Sequence, residues 1–185
     1  MAKAGAWIPN LRGNMVNLEA IWHQVLKDTS VEHCSIHGPE HWARVERNGL
    51  YVAKKTGADK TIVQLFAVFH DCMRWNDSVD PGHGRRGAEY AAQIKDELIN
   101  IPSSDFDKLY YACEWHTDQR TTDDITIAAC WDADRLDIGR VGYILDDYFM
   151  NSKPAQEIAK RDDLSPLDYM EIRNWKKLAG GSDVP

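Results

Sequence analysis

His70 and Asp71 stand side by side where the apolar run Leu65, Phe66, Ala67, Val68, Phe69 ends. An imidazole next to a carboxylate offers two donors to one cation, but chance alone supplies about one His-Asp dipeptide in a chain of this composition. The pair gains meaning only with company. His41 lies 29 positions before His70, and Asp132 lies 61 positions after Asp71. If these four side chains converge, two neutral imidazoles and two carboxylates form a nitrogen/oxygen site suited to Mn²⁺, Fe²⁺, Co²⁺, Ni²⁺, Zn²⁺ or Mg²⁺. The competing readings are plain ones: His41 as a helix-surface residue, and Asp132 as the ion-pair partner of Arg135 three positions on.

The elements that must position these residues are helical. Leu18, Ile21, Trp22, Val25 and Leu26 recur at helical spacing behind Asn17, a suitable N-cap. A second helix opens at Gly38-Pro39, carries Trp42, Val45, Gly49 and Val52 on one stripe beside His41, and stops at Gly57. Asp59 caps a third, with Ile62, Leu65, Phe66 and Phe69 inward, so His70 and Asp71 fall at its C-terminal end. There both can turn toward one ion; in mid-helix, neighbours diverge by about 100°. The turn Asp80-Pro81-Gly82 delivers His83 ahead of a helix from about Arg86 to Ile99. Ser103 or Ser104 caps a fifth helix with Phe106, Leu109, Tyr110 and Cys113 inward and His116 just beyond. A sixth presents Ile127, Ala128 and Trp131 to the core, with Asp132, Asp134 and Asp137 grouped around Arg135. Positions 146–164 read as a polar connection. A last amphipathic helix begins at Ser165-Pro166 and uses Leu167, Met170 and Leu178.

One domain over 1–185 is expected, with its core in about 17–145 and the remainder a connection and packing helix. A hydrophobic fraction of 43% with seven Trp argues against disorder. The net charge of −7 and scattered Lys/Arg exclude the basic face that would follow a phosphate backbone, so no polymeric nucleic acid is expected. Cys34, Cys72, Cys113 and Cys130 lack the close spacing of zinc-binding pairs and read as reduced, mostly buried thiols. With neither a signal-like apolar segment nor a membrane span, a cytoplasmic protein is expected.

The order His41, His70-Asp71, Asp132 resembles the HD-domain superfamily of metal-dependent phosphohydrolases. The contexts HWARV, LFAVFHD and DADRLDIG are similar to segments of small stand-alone bacterial members, and the likeness spans about residues 35–143. It implies an all-α, HD-domain-like bundle of five or more helices around a buried metal held by His41, His70, Asp71 and Asp132. Asp132 is preferred over Asp134 because the first acid is the ligand in similar sequences; Asp134 and Asp137 are then expected to hold Arg135 or cap backbone. Binuclear members add two histidines between the HD pair and the last Asp, and His83 and His116 match that order. One or two divalent ions per chain are therefore expected, with Asp71 bridging in the binuclear case; His83 and His116 alternatively bind a substrate phosphate or protonate a leaving group, or are structural.

The implied reaction is hydrolysis of a small phosphate ester by metal-bound hydroxide, since a divalent cation brings the pKa of its water near neutrality. Asp71, His83 and His116 are the expected catalytic groups. Arg44, Arg74 and Arg86, each three positions after a candidate His or Asp, are the expected phosphate-binding groups. Nucleotidase members carry Glu three positions after the HD Asp; here Arg74 stands in its place, a departure from the nucleotidase pattern, and the expected ester is a phosphomonoester, with a nucleotide or a phosphodiester left open. The six-donor pattern also resembles mixed-valent di-iron HD oxygenases, and a non-catalytic, metal-stabilised nucleotide-binding module is the third reading. The expected partner is a small phosphorylated molecule, not a membrane, with a homo-oligomer left open.

Overall fold

Most helices begin where the sequence supplies a side-chain acceptor for their orphan N–H groups. The computed structural model describes residues 8–9, 15–29 and 36–179. Helix α1 (Leu18–Asp28) is capped by Asn17, whose Oδ1 accepts from Ala20 N at 3.0 Å. Helix α2 (Pro39–Thr56) starts with proline in its first turn and is closed by Gly57 in the left-handed region at φ 81°. Asp59 caps α3 (Lys60–Phe69) by accepting from Thr61 N and Ile62 N. Asp124 does the same for α6 (Ile125–Arg135), accepting from Thr126 N and Ile127 N. Between them lie α4 (His83–Leu98) and α5 (Ser103–Trp115). The fold is all-α; a two-residue antiparallel pairing of Ile8–Pro9 with Met15–Val16 is the sole strand structure among the described residues.

Helix α3 is the axis of the packing. It lies against α1, α2, α4, α5 and α6, while α2 also packs on α6 and α4 on α5. Surrounded in this way, α3 buries Val63, Ala67 and Val68 as completely as Leu65, Phe66 and Phe69, rather than only the stripe its spacing suggests. The core continues through Trp22, Trp42, Trp131 and Leu109.

Several expected boundaries move. Helix α4 starts at His83 rather than near Arg86, because Gly82 turns left-handed at φ 77° and the chain enters the helix at once. Pro102, not a serine, precedes α5. The supposed connection over 146–164 contains a helix, α7 (Lys153–Arg161), capped by Ser152 and burying Ala155, Ile158 and Ala159. The supposed last helix is instead a 3₁₀ turn at Ser165–Leu167 and a short α8 (Trp175–Leu178). That segment is keyed to the core by Arg173, which grips the buried Glu46 of α2 at 2.5 and 2.6 Å. Cys72, Cys113 and Cys130 are free and buried, as expected; Cys34 lies outside the described residues. No helix among the described residues is long and apolar enough to cross a membrane.

Two glycines of α4 set how near it comes to its neighbours. A Cβ on Gly87 would collide with the carbonyl oxygen of Phe69, and one on Gly84 with the carbonyl of Cys113 and, at 2.8 Å, the ring of His116. Both obstacles are fixed groups, so a side chain would force α4 away from α3 and α5. Gly87→Ala is expected to cost about 1–3 kcal/mol, read as a lower urea midpoint with an unchanged slope.

Candidate metal centre

Four imidazoles point the same ring nitrogen inward. His70 follows the last residue of α3, stacks on Phe66 at 4.9 Å between ring centroids, and donates Nδ1–H to the carbonyls of Phe66 and Ala67, each at 3.1 Å. His83, the first residue of α4, donates Nδ1–H to the Asp80 carbonyl at 2.7 Å. His116, at the C-terminal end of α5, donates Nδ1–H to the Cys113 carbonyl at 2.7 Å. His41, in the first turn of α2, donates Nδ1–H to Asp137 Oδ2 at 2.7 Å. Carbonyl and carboxylate oxygens only accept, so each Nδ1 carries its proton and each Nε2 is presented as a lone pair. A donor of this kind behind each ring is the arrangement that orients metal-binding histidines.

The lone pairs gather in two lobes on either side of Asp71. In one, His41 Nε2 and His70 Nε2 lie 3.1 Å apart, Asp134 Oδ1 is 3.2 Å from the first and 3.8 Å from the second, and Asp71 Oδ2 is 3.7 Å from both. In the other, His83 Nε2 and His116 Nε2 are 3.0 Å apart, and Asp71 Oδ1 is 3.1 and 3.6 Å from them. Donors around a cation at about 2.1 Å stand roughly 3.0–3.4 Å from one another in tetrahedral or octahedral arrangements. The lobes have that scale. Asp71 Oδ1 is moreover buried with no hydrogen-bond donor among the described residues, an arrangement that is costly without a positive partner. These buried His/Asp groups could hold a metal ion.

Local charge agrees. Burial pushes His70 down to about 3, so it stays neutral at physiological pH despite Asp71 and Asp134 nearby. Burial also opposes charge on His41 and His116, but Asp134 and Asp137 beside the former, and Asp71 beside the latter, outweigh it and raise both pKa values. For Asp71 and Asp134 burial acts upward, yet the surrounding imidazoles hold both carboxyls below the usual carboxylate range.

Of the residues expected from the sequence, His41, His70, Asp71, His83 and His116 converge, and Asp132 does not. Its carboxylate accepts from Asn151 N, Asn151 Nδ2 and Ser152 N at 2.6, 3.2 and 2.7 Å and so anchors the entry to α7. Residues two apart on a helix diverge by about 200°, so only one of the two acids can face the lobe. It is Asp134. Arg135 is also not ringed by acids: its guanidinium donates to the carbonyls of Arg120, Gln119 and Phe149. Asp137 instead clamps His41 and Arg44, the latter at 2.7 Å. Arg44 is thus engaged away from the lobes, and Arg86 likewise: it pairs with Asp80 at 2.6 Å and stacks on Trp75 at 3.8 Å. Arg74 remains at the centre, with Nη1 3.2 Å from both ring nitrogens of His83 and 3.7 Å from Asp71 Oδ1.

Two residues were not anticipated. His37 donates Nδ1–H to Asp71 Oδ2 at 2.8 Å, and at 15% side-chain exposure it is the most open histidine of the group. It precedes α2 in irregular chain, so no periodicity marks it. Arg140, in the 3₁₀ turn Ile138–Val141, approaches His37 Nδ1 at 3.3 Å and Asp134 Oδ1 at 3.9 Å.

No protein-family model matches the chain, and no curated protein or solved structure matches it either.

Two results are expected. Asp134→Asn should lose most bound metal while Asp132→Asn keeps it and loses stability instead; elemental analysis with thermal melts separates the two, and the reverse pattern would restore Asp132 as the ligand. Because His41 and His116 have raised pKa values, protons compete for their Nε2 lone pairs at neutral pH. Metal uptake should therefore release protons and strengthen as pH rises from about 6 to 8, seen as buffer-dependent heats in titration calorimetry.

Proposed function

We propose that this chain is an HD-domain-type, metal-dependent phosphohydrolase acting on a small phosphate ester, its helices forming an HD-like bundle around a two-ion centre. The observation that carries the reading is Asp71, a buried carboxylate with one oxygen directed at each pair of imidazoles. One lobe would be held by His41, His70 and Asp134, the other by His83 and His116, with Asp71 shared. Four imidazoles and no thiolate suit Mn, Fe, Co, Ni or Zn better than Mg, which favours oxygen donors. When bound, such ions supply Lewis acidity toward a phosphoryl oxygen and a water of lowered pKa.

The chain's own groups account for the rest. The Nδ1–H bonds to Phe66, Ala67, Asp80 and Cys113 carbonyls and to Asp137 fix the rings before substrate arrives, so little reorganisation is needed. His37 fixes the Asp71 carboxylate from the side facing solvent. Charge favours an anionic substrate: two divalent cations against Asp71 and Asp134 leave about two positive charges, with Arg74 and Arg140 adding to them.

The oxidative alternative shares the six-donor set; the two guanidinium groups beside the lobes weigh against an uncharged polyol substrate and leave an anionic phosphonate to be separated by assay. Metal analysis of the purified protein, followed by phosphomonoester and phosphodiester assays with the retained metal, tests the choice. Two divalent ions per chain are expected, with hydrolysis abolished by chelation and by Asp71→Ala at unchanged helicity. Iron with substrate-dependent O₂ consumption would establish the oxygenase instead; tight nucleotide binding without turnover on any ester would establish a binding module.

A further inference from the structure

One imidazole of the centre owes its place to no helix. Ile36 and His37 lie in irregular chain ahead of α2, yet three of their backbone groups are bound by side chains of other segments. Ile36 N donates to Asp77 Oδ1 at 3.2 Å, the Ile36 carbonyl accepts from Arg140 Nε at 3.0 Å, and the His37 carbonyl accepts from Trp42 Nε1 at 2.8 Å. Ordering irregular chain at three points costs conformational entropy, and what it secures is the direction of one side chain. His37 is thereby set on the solvent side of Asp71, with Nδ1 2.8 Å from Asp71 Oδ2 and its ring edge-on to that of His41, centroids 6.1 Å apart.

The same Nδ1 faces two groups with opposite demands. Asp71 Oδ2 only accepts and is met by Nδ1–H; Arg140 Nη2, 3.3 Å away, only donates and is met by a lone pair. A neutral imidazole carries its one proton on either nitrogen, so His37 can answer either demand without a change of charge. With the proton on Nε2, Nδ1 offers its lone pair to the first lobe. Donors at about 2.0–2.1 Å from one ion and at right angles stand about 2.8–3.0 Å apart, which is the spacing of His37 Nδ1 and Asp71 Oδ2. His37, His41 and Asp71 offer donor atoms that all lie within 4.8 Å of one another. We propose that His37 is a further donor to the first lobe, an inference that rests on the metal centre proposed above. That lobe then has three imidazoles and two carboxylates, against two imidazoles and the shared carboxylate in the second. The lobes are unequal: the first retains an imidazole-preferring ion such as Fe²⁺, Co²⁺ or Zn²⁺, and the second exchanges its ion readily.

The test loads wild type, His37→Asn and His37→Ala with Co²⁺, counts the metal by elemental analysis, and follows its release to excess chelator through the visible absorption of the bound ion. Asparagine keeps an amide N–H that can reach Asp71 but is a poor ligand, so it separates support of the carboxylate from coordination. Wild type should release cobalt in a fast and a slow phase. Both variants should keep wild-type helicity, alter the absorption of the slowly released ion, speed its release about tenfold or more, and leave the fast phase unchanged. An Asn variant with the wild-type spectrum and slow phase overturns the assignment and makes His37 a support of Asp71. Equal acceleration of both phases in both variants overturns it too, because a disturbed Asp71 would loosen both lobes alike. A single release phase in wild type overturns the inequality of the lobes and leaves the centre standing, whereas wild type that holds no cobalt removes the centre and the inference with it.

Discussion

A single carboxylate, that of Asp71, is 3% exposed and surrounded by five imidazoles and a guanidinium, and most of the architecture serves to keep it there. Withdrawing a carboxylate from water costs several kcal/mol unless opposite charge or donors replace the lost hydration. His37 meets one oxygen directly. The other has the Arg74 guanidinium at 3.7 Å and faces the Nε2 lone pairs of His83 and His116 at 3.1 and 3.6 Å, groups from three separate stretches of chain. Their simultaneous approach requires α4 and α5 to close on the end of α3, which is what Gly84 and Gly87 permit.

The helical frame was legible because its rules are local. Asn17, Asp59 and Gly57 act within a few residues of where they stand, whereas the left-handed turn at Gly82 that brings His83 into α4 did not show in the hydrophobic spacing. The position of His70-Asp71 at a helix end followed from the same rules. What local rules could not decide was which side of α6 meets the centre. That helix buries every residue from Thr126 to Ala133, so its hydrophobic pattern has no polar face to reveal orientation. Asp132 and Asp134 were therefore interchangeable on the page, and the structure separates them through a contact twenty residues downstream, at Ser152.

The same limit explains the tail. Positions 153–161 are polar on average, with only Ala155, Ile158 and Ala159 buried, so a short helix passed for a connection. Arg140 and His37 illustrate another limit: one sits in a short 3₁₀ turn and the other in irregular chain before α2, where side-chain direction depends on partners remote in sequence. Arg140 reaches back to Ile36 across more than a hundred positions. Periodicity carries no information over that distance.

Arg173 links the last described stretch of the chain to Glu46, five positions beyond His41 on the same helix. Glu46 also accepts from Gln64 of α3 at 2.8 Å, so one buried side chain joins the tail to both helices that carry the HD pair and its first partner. The last described residues thus behave as a fastening for the centre, despite contributing nothing to its chemistry. A protease that clipped the chain before position 173 would strand an acid in the interior, between the two helices that lead to His41 and His70.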